Sequence, residues 1–225
     1  MAKHLDLEEQ EQIDQLKHFW NAWGTLISGV LVVIFGGIAA WNGYQYWQNR
    51  QAGQAAALAD AVQSAVQAGD AARASQAFDD LKSRYGGTTQ AAQAGLTTAK
   101  AMIDGGNVDG AKPVLEWLAQ NASDDGYKAL AKLRLASVLV DQKSYDDAMV
   151  HLSGKFPPQF DAVVADRKGD VLVLQGKKSD AVAEYQKAYK GLEEGAEYRR
   201  LIDVKLGSLG VQLQANAVAA EGAGK

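Results

Sequence analysis

Residues 23–41 read WGTLISGVLVVIFGGIAAW, and no Asp, Glu, Lys or Arg occurs anywhere between Lys17 and Arg50. At about 1.5 Å per helical residue the quoted stretch reaches roughly 28 Å, close to the ~30 Å of a bilayer's hydrocarbon layer. Leu26, Ile27, Val30, Leu31, Val32, Val33, Ile34, Phe35 and Ile38 are strong membrane formers, together favouring insertion by very roughly 3 to 5 kcal/mol. Trp20 and Trp23 stand at one end and Trp41, Tyr44, Tyr46 and Trp47 at the other, where amphipathic rings prefer the headgroup layer. The stretch predicts a transmembrane helix with an aromatic flank over 23–47. The preceding segment, 1–22, is acidic (Asp6, Glu8, Glu9, Glu11, Asp14), and no small-x-small site follows the apolar run closely. Both features predict an uncleaved signal anchor. Lys3 and Lys17 precede the span and Arg50 alone soon follows it. That slim basic excess predicts a cytoplasmic amino terminus and an exported remainder.

Beyond Arg50 the composition turns to Ala, Leu, Gln, Lys and Asp, with almost no β-branched alternation. This predicts an all-α domain over 51–213 followed by a disordered tail over 214–225. Apolar residues recurring every three or four positions predict hairpins pairing 52–68 with 70–85, 89–104 with 109–122, 125–142 with 144–152, and 160–175 with 179–193, before a last helix over 196–213. Gly69 is expected to make the first turn. A capping box is expected at Ser144 to Asp147, with N-caps at Asp70, Asp109 and Ser179 and Pro113 in the first turn of its helix.

The hairpins share a register. Ala74, Ala111, Ala148 and Ala181 recur at spacings of 37, 37 and 33 residues, near the 34-residue period of tetratricopeptide repeats. Twelve residues upstream stand Val62, Ala99, Ala136 and Gly169, and four downstream stand Phe78, Leu115, Leu152 and Tyr185. Small residues allow two helices to approach; the large one wedges between neighbouring hairpins. The last hairpin, with Gly169, Ala181, Tyr185 and Ala188, fits best.

Catalytic chemistry finds no foothold in the sequence. His4 and His18 lie in or beside the acidic segment, leaving His151 alone in the main domain, and there is no cysteine. A His-based zinc site, a Ser-His-Asp triad and thiol chemistry are therefore not expected. Gly176-Lys177-Lys178-Ser179 ends like a phosphate-binding loop, but Val171 stands where that loop needs glycine. No catalytic residue, metal site, cofactor or small-molecule substrate is expected, and the small net negative charge of the main domain argues against nucleic acid. Two features point to binding instead. Gly29, Gly36 and Gly43 recur every seven residues and make one face of the membrane helix narrow enough for another helix. On the inner face formed by the first helices of the hairpins, Arg134 and Arg167 fall 33 residues apart, with Lys100, Asp166 and Asp170 nearby. Solenoids bind partners on such faces.

The chain resembles the YfgM family, the ancillary subunits of the bacterial SecYEG translocon. The resemblance rests on Glu11 to Trp20 (EQIDQLKHFW) before the span, on Trp41 with Tyr44 to Arg50 (YQYWQNR) after it, and on Ala165 to Asp170 (ADRKGD) with Gly176 and Ala181. It covers the chain from Glu11 to about Leu213. It implies a single-pass inner-membrane protein with its amino terminus in the cytoplasm, whose periplasmic repeat domain works with the chaperone PpiD beside the translocon on emerging envelope proteins. The basic residue common in that aromatic motif is here the neutral Gln45. A membrane-anchored regulator that sequesters a signalling component, or an envelope-organising scaffold, would share the same anchor and repeats. Attachment through the short tail alone would mark the regulator.

Overall fold

The computed structural model describes residues 7–211. Its elements are α1 (Leu7–Gln67), α2 (Ala71–Tyr85), α3 (Thr89–Asp104), α4 (Val108–Asn121), α5 (Asp125–Asp141), α6 (Tyr145–Leu152), a short 3-10 turn (Pro158–Phe160), α7 (Asp161–Leu174), α8 (Lys178–Lys190) and α9 (Glu197–Ser208). The fold is all-α, a long apolar amino-terminal helix followed by tetratricopeptide-like hairpins. The chain divides into two compact units between Gln51 and Ala52. Secondary structure does not break there, because Gln48-Asn49-Arg50-Gln51-Ala52 contains neither Gly nor Pro and α1 continues to Gln67. The tail over 214–225 and the end of the expected last helix lie outside the described residues.

The first unit is the amino-terminal part of α1. Its apolar side chains stand exposed, Val32, Val33 and Phe35 by 71%, 74% and 63%, which water would oppose and lipid would not. The helix is long and apolar enough to cross a membrane.

The second unit owes its repeat to five turns of one kind. Gly69, Gly106, Lys143, Gly176 and Gly210 take positive φ of 73°, 81°, 61°, 75° and 88°. In each turn the next amide bonds to a carbonyl five residues back: Asp70 to Ala65 at 3.0 Å, Asn107 to Met102 at 2.8 Å, Ser144 to Leu139 at 2.8 Å, Lys177 to Leu172 at 2.9 Å and Val211 to Leu206 at 3.0 Å. This is the Schellman closure of a helix, and glycine serves it at four of the five sites because the left-handed conformation crowds a Cβ. Counting from these turns defines the register of the whole unit.

That register also corrects three of the cap expectations. The residue after the turn is the N-cap of the second helix: Asp70 accepts from Arg73 N at 2.9 Å and Asn107 from Gly110 N at 3.1 Å. Asn107 and Lys177 therefore take the N-cap positions two residues before the expected Asp109 and Ser179, which lie inside their helices, and Lys177 makes no side-chain cap bond. Ser144 occupies its N-cap position without a side-chain cap bond, so the capping box does not form. Because α4 starts at Val108, Pro113 sits inside the helix, beyond the first turn where its missing donor would cost least.

Packing follows the same count. Seven residues before each of the first four turns stand Val62, Ala99, Ala136 and Gly169, and five after it Ala74, Ala111, Ala148 and Ala181; all eight are buried. Nine after the turn, Phe78, Leu115, Leu152 and Tyr185 are 0 to 3% exposed, each such side chain contributing about 1.5–3 kcal/mol of burial. Phe78 shows the wedge at work. Its ring reaches from the first hairpin to the second, where a Cβ on Gly95 would fall 2.8 Å from it, and it meets Trp117 edge-on with centroids 5.7 Å apart.

Candidate partner-binding groove

The first helices of successive hairpins run side by side, and crevices open between them on the inner face. Between α5 and α7 a crevice of about 190 Å³ is floored by Leu133, Ala136 and Val140 and edged by Ser137, Arg167 and Asp170. Between α1 and α3 an equivalent crevice of about 260 Å³ is lined by Asp60, Gln63, Gln93 and Thr97. Openings of this size accept a side chain, not a whole ligand, so a partner would have to lie across them as a chain.

The five groove candidates fare differently. Lys100 is exposed and pairs with Asp104 at 2.5 Å. Arg134 reaches back to α3, its Nη1 donating to Leu96 O at 3.2 Å, and so ties two first helices together. Arg167, with its side chain 48% exposed, touches Asp170 at only 3.4 Å, which leaves its guanidinium nearly free for another carboxylate. Asp170 is half-buried on the crevice edge.

Asp166 does not belong to the groove. It is wholly buried, one helical position off the inner row, and its carboxylate faces α9. Lys205 donates to Asp166 Oδ1 at 2.6 Å and to Asp170 Oδ1 at 2.7 Å. Tyr185 donates to Asp170 at 2.8 Å and Tyr198 to Asp166 Oδ2. One ammonium and two phenols thus satisfy two carboxylates at the seam between α7, α8 and α9. Burial, and then the bonded Asp170 and Asp166, push the Tyr185 and Tyr198 hydroxyls above the ordinary tyrosine range and keep them protonated as donors. Lys205 and Tyr198 were not among the sequence candidates. A signal for Lys205 existed: five residues before the turn the chain carries Ser64, Ala101, Val138 and Val171, and then an out-of-place lysine.

The repeat-packing candidates Ala111, Ala136, Ala148, Gly169, Ala181 and Tyr185 all lie in the interior. In the first unit Gly29, Gly36 and Gly43 stand exposed on α1, with nothing within 4 Å of the place a Cβ would take. That helix therefore presents a surface with room for a neighbour.

The tetratricopeptide repeat-like domain family matches residues 17–211, the anchor included. An ancillary SecYEG translocon subunit of Neisseria gonorrhoeae is 33% identical over 93% of this chain and 100% of its own length. The proteins of that description from Aggregatibacter actinomycetemcomitans and Escherichia coli are 27% and 30% identical, over 90% and 81% of this chain and 98% and 87% of their own. Turn register, apolar helix and near-complete alignment agree, and the chain belongs to the YfgM-like family of ancillary SecYEG translocon subunits.

Proposed function

We propose that this chain is a non-enzymatic adaptor of the bacterial inner membrane, held beside the Sec translocon by its single apolar helix and offering its repeat domain to a PpiD-like periplasmic chaperone. The observation that carries the reading is the near-full-length similarity to ancillary translocon subunits. It spans both the anchor and the repeats, so the two halves of the adaptor come together. The Lys3 and Lys17 excess over Arg50 supports a cytoplasmic amino terminus and a periplasmic repeat domain. The chaperone rests on the family resemblance and on an inner face whose exposed Arg167 holds a single 3.4 Å contact to Asp170.

Tethering explains how such an adaptor works without a deep pocket. Confinement by the anchor raises the effective concentration of repeat domain and partner to the millimolar range, so a weak contact across shallow crevices is still occupied.

The test acts on the anchor. Gly29→Leu with Gly36→Leu adds bulk to a face where nothing lies within 4 Å, so the helix itself is undisturbed, while a packed neighbour would be pushed away. Co-purification of the translocon with the full-length chain is expected to fall several-fold, with the membrane-inserted amount unchanged. Full co-purification would remove the helix from the contact.

A further inference from the structure

The inner face changes character at its carboxyl-terminal end. Nine residues before the successive turns the chain carries Asp60, Thr97, Arg134 and Arg167, and then Leu201. Six before them it carries Gln63, Lys100, Ser137 and Asp170, and then Val204. Two before them it carries Gln67, Asp104 and Asp141, then Leu174 before the fourth turn and Ser208 before the last. The first two rows turn apolar only at the last turn and the third only at the turn before it, leaving Leu174 52%, Leu201 46% and Val204 69% exposed.

These three residues share one place. Asp141 from one first helix and Arg167 and Asp170 from the next line a single crevice, and Leu174, Leu201 and Val204 hold the equivalent positions one repeat later. The bond from Lys205 to Asp170 fixes α9 against α7 there, with Val204 adjacent to Lys205 and Leu174 one helical turn beyond Asp170. Scattered exposed apolar residues need no explanation, but three apolar residues standing where the preceding crevice carries Asp141, Arg167 and Asp170 do.

Charge selects the occupant. Asp170 is already taken by Lys205 and Tyr185, so Arg167 keeps only its 3.4 Å contact. Arg200, beside Leu201, has an 83% exposed side chain and meets Glu197 only at 4.0 Å. Two under-paired guanidinium groups therefore flank the strip, and a guanidinium binds a carboxylate better than any other side chain.

We propose that the α7–α9 end of the inner face docks a partner-protein segment in which a few apolar side chains are followed by acidic ones, the apolar group covering Leu174, Leu201 and Val204 and the acids meeting Arg167 and Arg200. This deepens the adaptor reading, on which it rests, by giving the chemistry of the segment a chaperone would offer. It also divides labour between the units: the anchor sets where the protein stands and the strip sets what it holds.

The test uses the full-length chain in lipid nanodiscs and a fluorescein-labelled peptide with Leu-Leu-Ser-Phe-Glu-Glu between Gly-Ser flanks, read by anisotropy. One control peptide carries Lys-Lys for Glu-Glu, and another carries Ser for both Leu and Phe. The parent peptide is expected to bind about tenfold tighter than either control. Leu201→Ser with Val204→Ser, both on the surface, is expected to weaken it by about tenfold with helicity unchanged, and Arg167→Glu to abolish the preference for Glu-Glu over Lys-Lys. Equal binding of parent and serine peptides, or an unaltered affinity in the Leu201/Val204 variant, overturns the docking strip. Translocon co-purification, read in parallel, separates the two readings. If it persists while the peptide fails, only the strip falls; if the unaltered chain does not co-purify, the adaptor itself falls.

Discussion

Lys205→Met is expected to destabilise the repeat unit by about 3–5 kcal/mol, the loss that follows when one partner of a buried ion pair is removed and the other stays. Lys205 bonds to both Asp166 and Asp170, and Asp166 is fully buried. Without the ammonium, the Asp166 carboxylate keeps Tyr198 as its donor and must either stay charged in an apolar seam or take up a proton. Asp166→Leu combined with Lys205→Met should recover most of the loss, because an apolar pair replaces a buried ion pair at little cost. Urea unfolding of the three variants reads the cycle, and additive losses would show that the two residues do not act together. In the unaltered protein Tyr185 and Tyr198 titrate above the ordinary tyrosine value. Their contribution is complete below about pH 10 and falls as pH rises beyond it, which makes the same seam the first to loosen in alkali.

How much of this was legible in the sequence depends on how local the cause is. The apolar helix was, because a run without charge is a property of consecutive residues. The hairpins were, because three-and-four spacing and a small residue recurring near 34 positions are short-range signals. Caps were legible only in part: Asp70 caps as expected, whereas Asn107 and Lys177 take the cap because the Schellman turn delivers them there, and that turn is set by the glycine before them. Asp166 was assigned to the groove because it neighbours Arg167 in sequence. In a helix such neighbours differ by about 100° in direction, enough to turn one inward and leave the other on the face. Its partners Tyr198 and Lys205 lie 32 and 39 residues later, on a helix outside the four paired hairpins.

Gly169→Ala is expected to cost about 2 kcal/mol, while the identical change at Gly207 is expected to add about 0.5–1 kcal/mol of stability. Both glycines lie inside helices, α7 and α9, where replacing glycine by alanine restricts the unfolded chain and favours the helix by roughly 0.5–1 kcal/mol. Their surroundings differ. At Gly207 nothing lies within 4 Å of the added methyl, so the gain stands alone. At Gly169 the methyl would fall 2.5 Å from Tyr185 Cδ1, and closer still to Cε1. The ring has nowhere to retreat: its hydroxyl is tied to Asp170 at 2.8 Å, the Lys205 ammonium stands 5.4 Å from its centroid, and its residue is 3% exposed. Overpacking of this kind costs about 1–3 kcal/mol, and here it also pulls Tyr185 off Asp170, so the upper end applies before the helix gain is subtracted. Thermal unfolding of the full-length variants in detergent checks the contrast. Equal shifts at the two sites would mean that the tight approach of α7 and α8, on which the register of the last hairpin depends, is not what makes glycine necessary at 169.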